Sequence, residues 1–86
     1  MSDMTVVVRY FAAARAAAGT DTEKVQLADG ATVDDLVAAL AAAHGPDLAR
    51  VLERCSYLLD EVAVRNRSQA LADGAVLDVL PPFAGG

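Results

Sequence analysis

A chain of 86 residues has room for one small domain. A domain this small buries only about 60% of its unfolded-chain surface, which leaves little space for a deep catalytic cleft beside a core. Twelve acidic against seven basic side chains give a net charge of −5. That balance argues against nucleic acid, whose phosphates need Lys and Arg, and against anionic membrane surfaces. The single cysteine, Cys55, excludes an internal disulfide framework and a four-cysteine iron–sulfur cluster.

The opening run Thr5-Val6-Val7-Val8-Arg9-Tyr10-Phe11 is β-branched and aromatic and predicts a strand. Ala12 to Ala18, closed by Gly19, predicts a short helix or turn. Glu23 to Leu27 alternates polar and apolar, so it predicts a half-buried strand in a long-looped hairpin with the first. After the turn at Asp29-Gly30, Thr32 stands where an N-cap belongs, with Asp34 and Asp35 in the first helical turn. Val33, Leu36, Val37 and Leu40 follow the spacing of a one-faced helix, and Gly45-Pro46 stops it near His44. A second short helical pattern carries Leu48, Val51 and Leu52 on one face. Tyr57 to Val64 predicts a strand with an acidic interruption at Asp60-Glu61, and Arg65-Asn66-Arg67 a turn. Ser68 to Leu71 fits a very short strand; Asp73-Gly74 turns into a final strand, Ala75 to Leu80. The expected architecture is α+β: a mixed sheet of four or five strands with one main helix packed across it. No apolar run approaches the roughly 20 residues a membrane-spanning helix needs. Met1-Ser2-Asp3-Met4 lacks the basic and apolar regions of a signal peptide, so a cytoplasmic location is expected.

Residues 1–80 are thus expected to form the domain, and 81–86 an extended tail. That tail reads Pro81-Pro82-Phe83-Ala84-Gly85-Gly86. Two prolines after a strand end sheet pairing, because they carry no N–H, and hold the chain near polyproline II. The two glycines add no side chains, so a partner's channel can close around the backbone. The result is a stiff base with a thin tip. The Gly86 carboxyl, with a reference pKa of about 3.5, is ionised at neutral pH and a poor acyl donor until activated. Attack on the α-phosphate of ATP would convert it to an acyl-adenylate.

Three segments carry a family resemblance. They are Tyr10-Phe11-Ala12-x-x-Arg15-x-x-x-Gly19, the helix opening Thr32-Val33-x-x-Leu36, and Leu71-Ala72-Asp73-Gly74-Ala75-Val76 running into Leu80-Pro81-Pro82-Phe83-Ala84-Gly85-Gly86. Together they make the sequence resemble the MoaD/ThiS family of ubiquitin-like sulfur carriers, and within it the MoaD branch. The resemblance implies a β-grasp fold and a chain with no catalytic site or bound cofactor of its own. It implies that Gly86 is adenylated with ATP by a MoeB-like enzyme, then converted to a thiocarboxylate by a persulfide donor. It implies that the tail, Pro81 to Gly85, enters a MoaE-like large synthase subunit, where sulfur passes to cyclic pyranopterin monophosphate. Phe11 and Arg15 match family positions near partner surfaces, and Phe83 a tail position that is apolar in the family. The family's Asn-Gly-like turn after the third strand is expected here at Arg65-Asn66-Arg67, without its glycine.

Two other readings keep the tail at the centre: a carrier for a cysteine or thiazole pathway, and a ubiquitin-like modifier joined to lysines. In a fourth, the chain is a plain interaction domain. The remaining chemistry-bearing residues have ordinary expectations. His44 should meet its own helix's last carbonyls or dipole, and with no second histidine it makes no metal site. Cys55 should be a small buried hydrophobe with only Arg54 near it in sequence to lower its pKa. Asp60 and Glu61 should be a solvated edge or turn rather than an acid/base pair. Arg65 and Arg67 could share a strand face, as surface charge.

Overall fold

The computed structural model describes residues 3–82. β1 (Asp3–Tyr10) alternates strictly, as a strand with one covered face must: Met4, Val6, Val8 and Tyr10 are buried, while Thr5, Val7 and Arg9 are half-open. α1 (Ala12–Ala18) follows and ends at Gly19, whose φ of +77° suits glycine and whose N–H donates to the Arg15 carbonyl. β2 (Thr22–Ala28) returns antiparallel to β1, with Val6 opposite Val25 and Met4 opposite Leu27. The expected hairpin is present, and its long loop is α1 itself.

α2 (Val33–His44) opens on a capping box. The Asp35 N–H donates to Thr32 Oγ1 at 3.2 Å, and the Thr32 N–H donates to the Asp35 carboxylate at 2.9 Å. Its stripe of Val33, Leu36, Val37 and Leu40 is buried, as the spacing predicts. Gly45 turns the chain into α3 (Pro46–Leu52), which buries Leu48 and Leu52. β3 (Ser56–Leu59), β4 (Val62–Ala63) and β5 (Val76–Leu80) complete a five-stranded sheet of order β2-β1-β5-β3-β4. β1 and β5 run parallel in the middle, with Val8 opposite Leu77 and Tyr10 opposite Val79; the other pairings are antiparallel. One core joins Met4, Val6, Val8, Leu77 and Val79 of the sheet to Leu36, Leu40, Leu48 and Leu52 of the helices. Each such buried side chain contributes about 1.5–3 kcal/mol over leaving it exposed.

Three local expectations change. Tyr57 to Val64 is not one interrupted strand but a hairpin: Asp60 and Glu61, with φ of +48° and +71°, form its two-residue turn. Both residues sit in the left-handed region that hairpin turns of this length demand and that Asn-Gly usually signals. Asp60 is held there by β5, whose Val76 N–H donates to its carboxylate at 2.9 Å while the Asp60 N–H donates to the Val76 carbonyl. Ser68 to Leu71 forms no strand; a single bridge pairs Ala70 with Thr32. Arg65 and Arg67 share no strand either. Arg67 is ion-paired to Asp34 at 2.8 Å, with its guanidinium 5.3 Å from the centre of the Tyr57 ring.

Candidate functional site

The position of the tail follows from the sheet. β5 is the central strand, and its last ladder partner is Ser56, opposite Leu80. Past Leu80 come Pro81 and Pro82, which offer no N–H to either neighbour. The Phe11 N–H donates to the Val79 carbonyl at 3.2 Å, so the end of β1 is tied to the end of β5. The tail therefore leaves the sheet beside Phe11. Phe83, Ala84, Gly85 and Gly86 lie outside the described residues.

At this exit Phe11, Ala12, Ala13, Ser56, Leu80, Pro81 and Pro82 line an apolar groove of about 640 Å³. Phe11 is 40% exposed, although it is among the largest apolar side chains of the chain. Its backbone is extended, and Ala12 then takes a φ of +51° to enter α1, a left-handed conformation that costs an alanine about 1–2 kcal/mol. Phe11 is the residue that caps α1, and its carbonyl accepts from the Arg15 N–H at 3.4 Å. The Arg15 side chain is 59% exposed and meets Asp21 only at 3.6 Å, a surface contact worth little. Of the two sequence-predicted interface residues, Phe11 thus lines the groove at the base of the tail, while Arg15 is exposed on α1 and is not part of that groove.

The other candidates resolve into structural roles. His44 lies in the last turn of α2, as expected, but its Nε2 is directed to β2 rather than to the helix's last carbonyls, 2.9 and 3.1 Å from the two oxygens of Glu23. The Tyr10 hydroxyl donates to the same carboxylate at 2.7 Å. Glu23 thereby ties β1, β2 and the end of α2 together. Burial first, then the neighbouring Glu23 carboxylate, pushes the Tyr10 hydroxyl far above its ordinary range, so it stays a neutral donor. The β2 alternation put Glu23 on the inner face with Val25 and Leu27, but nothing in the sequence linked it to His44. Cys55 donates its thiol to the Val51 carbonyl, and burial pushes its pKa up, the reverse of what a reactive thiol needs. Among the described residues no cluster of three His, Cys, Asp or Glu side chains is placed to hold a metal ion. None of their helices is long and apolar enough to cross a membrane.

One pair escaped sequence reasoning. Arg9 and Asp78 are direct register partners on β1 and β5, joined by two hydrogen bonds, from Nε and from Nη2 at 2.8 Å. Hydrogen bonding to Asp78 and its charge raise the Arg9 pKa above its ordinary value. The signal was there to read: an aspartate inside the otherwise apolar Val76-Leu77-Asp78-Val79-Leu80 run, on the central strand.

Strand order β2-β1-β5-β3-β4 with a parallel central pair, a helix laid across one face and a tail leaving from the central strand define a ubiquitin-like β-grasp protein. The ThiS family matches residues 8–86, and the chain belongs to that family. Over 84 residues it is 39% identical to the molybdopterin synthase sulfur carrier subunit of Chlamydomonas reinhardtii, covering 96% of this chain and 100% of that one. The small archaeal modifier protein 1 of Haloferax volcanii is similar in structure, with a TM-score of 0.82 and 30% identity, over 93% of this chain and 99% of that one. A chain from the complex of subunits 1 and 2 of molybdopterin-converting factor from Helicobacter pylori aligns with a TM-score of 0.71 and 28% identity, over 96% of this chain and 100% of that one.

Proposed function

We propose that this chain is a cytoplasmic sulfur carrier for molybdopterin synthesis, and that its reactive group is the Gly86 carboxyl. A MoeB-like enzyme joins that carboxyl to the AMP of ATP with loss of pyrophosphate. A persulfide sulfur then displaces AMP, and a thiol releases the acyl sulfur as a thiocarboxylate. The tail from Pro81 to Gly86 enters a MoaE-like large subunit, where the sulfur passes to cyclic pyranopterin monophosphate. The chain binds no cofactor; ATP and the persulfide are used by the activating system. The observation that carries this reading is the 39% identity with the C. reinhardtii carrier subunit along that protein's full length. The tail base agrees with it: a strand exit fixed in the middle of the sheet, next to an apolar groove and the exposed Phe11, suits a chain whose tip is inserted while its base is gripped. Holding the tail away from the domain before binding lowers the entropy lost on insertion.

A second reading has its own support in the likeness to the H. volcanii modifier: Gly86 would be joined to lysines of target proteins. One measurement separates the two. The intact chain is incubated with ATP, a sulfur donor and the adenylating enzyme of its own organism, and weighed. A mass gain matching one oxygen replaced by sulfur, located at Gly86, supports the carrier. An ATP-dependent conjugate to lysine, without that gain, moves the assignment to the modifier.

A further inference from the structure

The sheet has a second face, turned away from the helices, and its centre is polar. Arg9 and Asp78 lie side by side on the two middle strands there, with Val7, Val76 and Leu58 around them by register. The Asp78 side chain is 7% exposed and that of Arg9 43%. A carboxylate withdrawn this far from water is a costly way to hold two strands together. Replacing such a pair with well-packed apolar side chains is often neutral or stabilising, and the surrounding residues are already apolar. Strand pairing does not need it either, because the backbone ladder runs through both positions.

What the pair does achieve is orientation. Asp78 grips Arg9 through Nε and Nη2, and among the described residues Nη1 has no acceptor. The guanidinium lies 6.0 Å from the centre of the Phe11 ring, so it adjoins the tail-base groove. A planar, always charged fork, fixed in advance and set beside an exposed aromatic, is the composition of an interface hot spot. The local charge narrows the acceptor. Asp60 and Glu61 line the same small groove as Arg9 and Val76, so with Asp78 three carboxylates stand near one guanidinium. A further carboxylate would be repelled; a neutral carbonyl would not.

We propose that Arg9 is a specificity-determining contact of the docking face, receiving a carbonyl oxygen from the middle of an apolar patch on the partner protein, and that Asp78 is the positioning residue that holds it upright. The partner's rim opposite Asp60 and Glu61 is basic. This rests on the carrier reading, with the large synthase subunit as the partner.

The test uses the full chain and subunit 2 of molybdopterin-converting factor from the same organism, with Kd and the Tm of the free chain measured together. Exchanging the pair (Arg9→Asp with Asp78→Arg) keeps the ion pair and the net charge but moves the fork. The exchanged chain is expected to keep its Tm and to bind at least ~10-fold more weakly, the size of a hot-spot contact. An exchanged chain that binds like wild type overturns the proposal. If the exchange does not fold, Arg9→Leu with Asp78→Leu decides: expected to fold at least as stably and to bind at least ~10-fold more weakly. Wild-type affinity in that variant overturns the proposal equally. A wild-type chain that does not bind subunit 2 at all removes the carrier reading itself, and is seen before any variant is made.

Discussion

The two faces of the sheet are built from the same strands, residue by alternate residue, and they have opposite fates. On the inner face Met4, Val6, Val8, Leu77 and Val79 are sealed under the helices. On the outer face their neighbours Val7, Arg9, Val76 and Leu80 are only half-covered, and the groove at Leu80 continues into the tail. In a strand one residue's step decides which role a side chain takes. Stability is therefore concentrated on one face, and in the function proposed above it is the other face and its end that meet a partner. If this division holds, substitutions should separate cleanly into those that move Tm and those that move activity.

The largest separation is expected at the tail. Removing Gly86, or adding one residue after it, should abolish the mass gain with ATP and sulfur donor and leave Tm unchanged. The reacting carbon is then absent or displaced, and misplacement by a single residue defeats the alignment that such chemistry needs. Among the described residues the last member of the core is Val79, seven positions before Gly86. An extended chain that still receives sulfur without trimming would break the comparison at its functional end.

The opposite extreme is Leu77→Ala. Leu77 is fully buried at the centre of β5, and truncating a leucine in such a site costs about 2–5 kcal/mol. For a domain of this size each kcal/mol lowers Tm by about 4–8 °C. The variant's folded fraction should nevertheless take up sulfur and bind its partner as wild type does, measured well below its Tm. A loss of affinity in the folded variant would show that the inner packing sets the outer surface.

Much of this division was legible before the coordinates. Period-two alternation in β2 and the Val33, Leu36, Val37, Leu40 stripe named the inner faces of those elements correctly, because burial on one side writes itself into the sequence; the β-branched run Val6-Val7-Val8 marked β1 as a strand without saying which side is buried. The tail exit was legible because Pro81-Pro82 states a backbone fact directly. What was not legible depends on pairing between distant segments. Asp60 and Glu61 read as a solvated edge or turn, as they are, but the hairpin they close carries no glycine and is held by Val76 of another strand, so no local signal marks it. His44 meets Glu23 only because α2 ends over β2, and Arg9 meets Asp78 only because β1 and β5 run parallel in that register. Parallel pairing of the first and last strands is a property of topology, which hydrophobic patterning alone does not specify.

A smaller and more local effect is expected at Phe11. Phe11 is 40% exposed, so Phe11→Ala gives up only part of the burial of a core phenylalanine and should cost about 1–2 kcal/mol of stability. An exposed aromatic beside a partner's tail-entry site is a typical anchor, and its loss should weaken binding of the large subunit by about 2 kcal/mol, roughly 30-fold. Titration calorimetry alongside thermal melts reads both numbers on one sample. The reverse result, a large fall in Tm with affinity intact, would place Phe11 with the inner face.

The smallest expected effect is at the start of α2. Three of the helix's first N–H groups already have partners: Val33 donates to the Gln69 carbonyl, Asp34 to the Arg67 carbonyl, and Asp35 to Thr32 Oγ1. Thr32→Ala removes only the last of these, at an exposed position where water can replace it. The cost should be about 1 kcal/mol, the ordinary value for a lost N-cap. Thr32→Ser should recover most of it, since the hydroxyl is what accepts the bond. Because α2 lies across the inner face, neither variant should alter sulfur uptake or partner affinity. A cap substitution that weakened binding while costing this little stability would mean that the helix and the outer face are coupled through the sheet, and the two faces would then have to be treated as one device.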